Sequence, residues 1–289
     1  MRHYLSLVTF SHTVFALPFA LVGYTLAILR PEFEFAWRTL ALVLACMVTA
    51  RNAAMGFNRL VDAPIDALNA RTATRDIPAG RISPRRAGAF VLLNVAAFVV
   101  AAGLLNPLCL YLSPVALAVV LGYSYTKRFT WLCHVVLGVG LALAPVGAYL
   151  AVAGAFAWPP VLLGAMVLCW VAGFDVVYAL QDEDFDRAQG LSSVPTRFGA
   201  SRSLGISRGL HLVCLACLAA AGYLLAEAYP NALWAIALAS VLFALALAYQ
   251  HRVVAGGDLT RIDRAFFTAN GVASVVYAAI LIPGLALTA

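Results

Sequence analysis

The stretch "ALVLACMVTARNAAMGFNRLVDAPID", residues 41–66, begins as an almost unbroken apolar run and ends with an amide and two carboxylates spaced by four, Asn58, Asp62 and Asp66. Apolar runs of about 20 residues cross a bilayer as helices, so the stretch reads as a membrane span whose polar residues gather at one end. Along a helix, a spacing of four drifts by only about 40° per step. The three side chains therefore line one polar edge over two turns. Pro64 lies among them and cannot donate the helical hydrogen bond, which predicts a bend there with Asp62 capping a new turn.

The rest of the chain has the same character. Of its 289 residues, 63% are hydrophobic and 11% charged, with a mean hydropathy of +0.91, whereas a soluble domain carries about 25% charged residues. The composition predicts an all-α integral membrane protein of one domain, 1–289, with nine transmembrane helices enclosing a central cavity. The spans fall near residues 5–28, 36–57, 87–106, 108–125, 132–154, 160–180, 209–226, 231–250 and 265–287. The first run reads as a retained span and not a cleaved leader. With the N-terminus cytoplasmic, 17 of the 19 Lys and Arg lie inside, from Arg2 to Arg264, and only Arg30 and Arg38 outside, which is the positive-inside pattern. The basic balance then needs no nucleic acid. The inner connections 59–86, 126–131, 181–208 and 251–264 form a cytoplasmic cap, and the expected location is a bacterial-type inner membrane with the active site facing the cytoplasm.

A second polar cluster, "FDVVYALQDEDFD" (174–186), matches the first. Asp175, Tyr178, Asp182 and Asp186 fall at i, i+3, i+7 and i+11, offsets that share one helical face. Asp175 lies about two turns deeper, where an unpaired charge is costly, so it is expected to face an internal cavity. Two acidic edges at one depth repel unless cations lie between them, and carboxylate and amide oxygens are hard ligands suited to Mg²⁺. Mg²⁺ sites usually add substrate phosphate to one or two carboxylates. Arg71, Arg75, Lys127 and Arg128, close by in the inner loops, offer partners for the remaining phosphate charge. The pattern points to a bound diphosphate; the plainer alternative is acidic helix ends paired with neighbouring arginines.

"NRLVDAPID" (58–66) fits the NxxxDxxxD motif, and "DVVYALQDEDFD" (175–186) the DxxYAxxDxxxD motif, of the UbiA family of intramembrane aromatic prenyltransferases, which this chain resembles over nearly its whole length. Arg51 seven residues before Asn58, "RTATRDIPAGRIS" (71–83), "YSYTKRFT" (123–130) and "SHTVFALPFAL" (11–21) extend the likeness toward the 4-hydroxybenzoate polyprenyltransferase branch, including its futalosine-route menaquinone members. The chain departs from the common pattern at Ala63-Pro64. The resemblance implies a polyprenyl diphosphate with its tail among the helices, open sideways to the lipid bilayer. Mg²⁺ on Asp62, Asp66, Asp182 and Asp186 holds the diphosphate, Asn58 assists, and Arg71, Arg75, Lys127, Arg128 and Tyr123 bind substrate. The allylic cation alkylates an aromatic acid acceptor, 4-hydroxybenzoate or 1,4-dihydroxy-6-naphthoate, with Asp175, Arg51 and Tyr178 as the catalytic candidates.

Arg51 is the residue expected to hold the acceptor. It sits two turns deeper than Asn58 on the same face, where a guanidinium needs an anion; that anion is either the acceptor carboxylate or Asp175. Phe57, Phe174 and Tyr178 are placed to face a cation or to pack the core. His12 and His134, lone histidines in apolar runs, read as structural. Cys214 and Cys217 form a C-x-x-C without a second pair and read as packing residues. An ion-coupled transporter explains a buried Asp175 but not the loops rich in both arginine and aspartate beside the acidic helix ends, and a membrane assembly protein requires no matched acidic motifs.

Overall fold

In hydrocarbon a backbone satisfies its N–H and C=O groups only internally. The computed structural model describes residues 13–254 and 269–288, and these form α-helices and short 3₁₀ turns with no strand among them. The helices are α1 (Thr13–Ile28), α2 (Trp37–Val61), α3 (Ala63–Asp66), α4 (Pro84–Leu105), α5 (Pro107–Thr126), α6 (Cys133–Ala153), α7 (Trp158–Tyr178), α8 (Glu183–Ala188), α9 (Val194–Ala228), α10 (Leu233–Val253) and α11 (Asn270–Ala286). Seven segments, built on α2, α4, α5, α6, α7, α9 and α10, are long and apolar enough to cross a membrane. The other two expected spans appear as the shorter apolar helices α1 and α11. Residues 5–12 and 265–268 of those spans, with His12, Arg2, Arg261 and Arg264, lie outside the described residues.

Local signals set the helix ends. Ser83 and Asn106 cap α4 and α5, each followed by a proline at the first helical position, and Ser193 closes a capping box with Thr196 at the start of α9. These are side-chain oxygens answering N–H groups that a helix start leaves unpaired. The span expected at 209–226 therefore begins earlier, at Val194, and is broken at Gly199, whose φ of 76° only glycine adopts readily. The polar residues of 194–208 thus belong to the helix and not to a loop before it. Large aromatics stand out toward the surroundings at the helix ends, Trp37, Tyr111, Trp158 and Trp234 at one end of the bundle and Phe129 at the other, as in membrane-interface belts.

The helices pack in two groups that share α1 and α6. One runs α1–α6–α7–α9–α10–α11 and back to α1, around a solid core of Trp170, Phe19, Phe243, Leu163, Met166 and Leu281, all essentially inaccessible. Phe19, Trp170, Phe243 and Tyr277 meet there with ring centroids 5.4–6.3 Å apart. In the other group α2, α4 and α5 pack on one another and α5 on α6, and this side is hollow. A cavity of about 380 Å³ runs between α2, α5 and α6. The two acidic motifs end α2 and α7, one on each side of the shared wall.

Candidate active site

The first motif keeps its helical hydrogen bonds through the bend. Asp62 N–H donates to the Asn58 carbonyl (2.9 Å) and Asp66 N–H to the Asp62 carbonyl (2.7 Å), with α2 ending at Val61 and α3 starting at Ala63. The bend expected at Pro64 is present, but Asp62 does not cap the new turn with its side chain. Its carboxylate accepts from Asn58 Nδ2 (2.8 Å) and Arg128 (3.4 Å) instead. The second motif is not one α-helical face. After Tyr178 the backbone tightens into a 3₁₀ turn, Ala179–Asp182, before α8 begins at Glu183. Three residues per turn instead of 3.6 rotate Asp182 and Asp186 relative to Asp175.

Every motif carboxylate at the helix ends has one cation of its own. Arg128 holds Asp62 at 3.4 Å, Arg75 holds Asp66 at 2.6 Å, Arg71 holds Asp182 at 2.5 Å, and Lys127 holds Asp186 at 3.0 Å. The four cations singled out for a diphosphate are thus the four that neutralise the acidic clusters. Two of the pairs tie distant segments together, Arg71 to the second motif and Lys127 from the end of α5 to α8. Burial holds the Asp62 carboxyl above the usual carboxylate range against the pull of Arg128. For Arg71 and Lys127 burial opposes the charge, but the hydrogen bonds and charges of Asp182 and Asp186 outweigh it and raise both above their ordinary values. Tyr178 belongs to this layer: its hydroxyl accepts from Arg71 (3.5 Å) and its ring lies 5.9 Å from the guanidinium. Asn69, which the sequence did not single out, reaches Asp182 at 3.4 Å and accepts from Arg71 N–H.

Deeper in, Asp175 pairs with His134 and not with Arg51. His134 Nδ1 lies 2.7 Å from Asp175 Oδ2, and His134 Nε2 accepts from Val194 N–H at 3.3 Å. The signal for this pair was available: two polar residues in separate apolar runs at similar depth have strong reason to meet. Arg51 lines the hollow side, where it is the sole charged residue among the described residues of the cavity wall, with Tyr123 beside it. Tyr123 joins the layers, within electrostatic range of Arg51 on one side and of Asp62, Asp175, Arg59 and Arg75 on the other. From there the wall is apolar to Leu105, Leu150 and Phe156 at the far end. Phe57 packs edge-on to Tyr125 (5.8 Å). Phe174 packs with Phe15 and Trp170 in the solid core, so core packing is its role here.

The donor set at the helix ends is all oxygen, the kind that suits a hard cation. Asp66 Oδ2 is buried without a hydrogen-bond partner, a costly state for a carboxylate oxygen that an incoming cation relieves. Among the described residues no three acidic, histidine or cysteine side chains stand close enough to hold a metal, because each carboxylate is drawn to its own base. The residues fit Mg²⁺ once those pairs open.

The model of the UbiA prenyltransferase family matches residues 16–272. The 4-hydroxybenzoate octaprenyltransferase of Edwardsiella ictaluri is 33% identical over 246 residues, covering 84% of this chain and 83% of that protein. The apo structure of a UbiA homolog from Aeropyrum pernix K1 superposes with a TM-score of 0.82 at 34% identity, over 94% of this chain and 97% of that one. A UbiA homolog from Archaeoglobus fulgidus, solved bound to GPP and Mg²⁺, has the same fold, with a TM-score of 0.77 at 22% identity over 98% and 99% of the two chains.

Proposed function

The chain belongs to the UbiA prenyltransferase family, and from this we propose that it transfers the polyprenyl group of a polyprenyl diphosphate to a hydroxylated aromatic carboxylate, 4-hydroxybenzoate or 1,4-dihydroxy-6-naphthoate, from the cytoplasmic side of a bacterial inner membrane. The observation that carries this reading is the union of two layers. Four carboxylates matched by four cations adjoin, through Tyr123, a mainly apolar cavity in whose described wall Arg51 is the charged residue.

The carboxylates of Asp62, Asp66, Asp182 and Asp186, with the Asn58 amide, are the ligands for Mg²⁺, the metal named with the Archaeoglobus homolog. When bound, the metal neutralises charge on the departing diphosphate. Arg71, Arg75, Lys127 and Arg128 exchange their carboxylates for diphosphate oxygens, aimed where negative charge develops. The hollow between α2, α5 and α6 takes the prenyl tail and keeps water from the allylic carbon. Arg51 pairs with the acceptor carboxylate at the inner end of that hollow. The allylic C–O bond to diphosphate then breaks, a C–C bond to the aromatic ring forms, and a ring proton leaves.

The test is direct. Purified protein with Mg²⁺, a polyprenyl diphosphate and each aromatic acid in turn is expected to give, by mass spectrometry, a prenylated product with one of them. Diphosphate release without product from either acid overturns the acceptor assignment, and no diphosphate release under any condition overturns the reading as a whole.

A further inference from the structure

Among the described residues Asp175 is the one motif carboxylate that meets a histidine and not an arginine or lysine, and that histidine, His134, is almost wholly enclosed. His134 sits in the first turn of α6 with its side chain 1% exposed, whereas the Asp175 side chain is 22% exposed. Val194 N–H opens α9 and is one of the donors that a helix start leaves unpaired. It can only donate, so the His134 Nε2 that receives it carries a lone pair. The proton of the neutral ring is then on Nδ1, where it donates to Asp175 Oδ2. One backbone N–H thereby fixes the tautomer of His134, and that tautomer fixes one oxygen of Asp175.

The clasp is braced on both sides. Ser192 N–H donates to the Lys127 carbonyl at 2.6 Å, Trp131 packs edge-on to Phe198 at 5.2 Å, and Arg197 lies over the Trp131 ring. The start of α9 is thus docked on the segment between α5 and α6. Gly173, two residues before Asp175, leaves room for the neighbouring His211 on the other side of α7. Asp175 Oδ1 makes no hydrogen bond to any described residue, and Asp175 lies within electrostatic range of Tyr123 beside Arg51.

We propose that His134 is a positioning residue for the transfer reaction: it holds Asp175 by Oδ2 and presents Oδ1 to the ring hydroxyl of the acceptor, whose carboxylate Arg51 holds. This rests on the acceptor reading above. A hydroxyl that donates to a fixed carboxylate oxygen places more electron density in the ring at the moment of attack, and two anchors, Arg51 and Asp175, orient the ring toward the allylic carbon. Because the tautomer depends on Val194, the acceptor end of the site is completed only when the start of α9 is docked.

Two amide variants separate this role from a merely structural one. His134→Asn keeps a donor near the position of Nδ1, facing Asp175, and loses the acceptor for Val194; His134→Gln does the reverse. The proposal expects His134→Asn to retain kcat within a fewfold of wild type, and His134→Gln to lose about ten- to a hundredfold, the range typical of removing the partner that orients a functional group. The KM for the prenyl diphosphate stays near wild type in both. A structural clasp expects the opposite order, with His134→Gln the better variant and both KM values and the melting temperature shifted together. That order, or equal kcat in the two variants, overturns the proposal. A wild type that releases diphosphate but prenylates neither acid overturns the acceptor reading, and this inference with it.

Discussion

Arg71 and Asp182, 111 residues apart, meet as a fork on a carboxylate: Nε lies 3.2 Å from Oδ1 and the terminal nitrogen 2.5 Å from Oδ2. Such a pair is geometrically specific, and it joins the loop after the first motif to the end of the second. Removing the charge of Asp182 frees a guanidinium that is already 40% exposed, so the fold tolerates it. Asp182→Asn, and likewise Asp62→Asn, is expected to abolish turnover with a melting temperature close to wild type. EDTA should silence the wild-type enzyme and Mg²⁺ restore it; full activity in excess chelator would count against the metal-diphosphate assignment.

If substrate draws the four cations away from the four carboxylates, the segments that carry them must change their accessibility. Arg71 and Arg187 are exposed basic residues at the two motif ends, Arg187 paired with Glu183 four residues earlier. Mg²⁺ with a non-hydrolysable prenyl diphosphate analogue is expected to slow trypsin cleavage within 71–86 and 187–193 severalfold. Equal cleavage rates with and without the analogue would argue for a preformed site.

The sequence made the helices and the inner polar layer legible because both follow from short-range rules, apolar length for the spans and a spacing of four for Asn58, Asp62 and Asp66. It singled out the same four cations, as partners for a diphosphate, and the structure sets each of them beside a carboxylate. It did not reveal which cation meets which acid, because those pairings depend on how α2, α5, α6 and α7 stand beside one another; for Asp175 and His134 only their similar depth hinted at the pair. The 3₁₀ turn at Ala179–Asp182 was invisible for a related reason. An i, i+7, i+11 pattern assumes uninterrupted α-helix, and no proline or glycine marks the change of pitch. A cavity was expected, but which helices line it was hidden, since residues lining a cavity and residues facing lipid are equally apolar.

The shared wall between the two halves depends on close backbone approach of α6 and α7. A Cβ added at Gly138 would lie 2.5 Å from the Leu168 carbonyl oxygen, and one at Gly164 2.9 Å from Val146 and 3.1 Å from the Ala142 carbonyl. Small residues at such crossings are how membrane helices pack without a hydrophobic driving force. Overfilling a packed contact costs about 1–3 kcal/mol, so Gly138→Ala is expected to lower the melting temperature in detergent. Gly122→Ala, with nothing within 4 Å of the new Cβ, should leave it unchanged. Equal melting temperatures for the two variants would show that the crossing yields more readily than the structure implies.

Arg51 carries the most specific expectation for the acceptor. Asp175 is engaged by His134 at 2.7 Å, which removes the main reason to regard Arg51 as its counterion, and Arg51 is the one charged side chain among the described residues of a mainly apolar cavity wall. Arg51→Lys keeps a positive charge but loses the planar fork that suits a carboxylate. A hydrogen bond to a charged group is worth about 1.5–3 kcal/mol, so the KM for the aromatic acid should rise from about tenfold to more than a hundredfold. The KM for the prenyl diphosphate should stay near wild type, because the site proposed for its anion is the other layer, at Arg71, Arg75, Lys127 and Arg128. An Arg51 that serves the fold alone predicts instead a lower melting temperature and parallel changes for both substrates. Measuring the two KM values separately in Arg51→Lys decides between them, and an unchanged acceptor KM would sink the assignment.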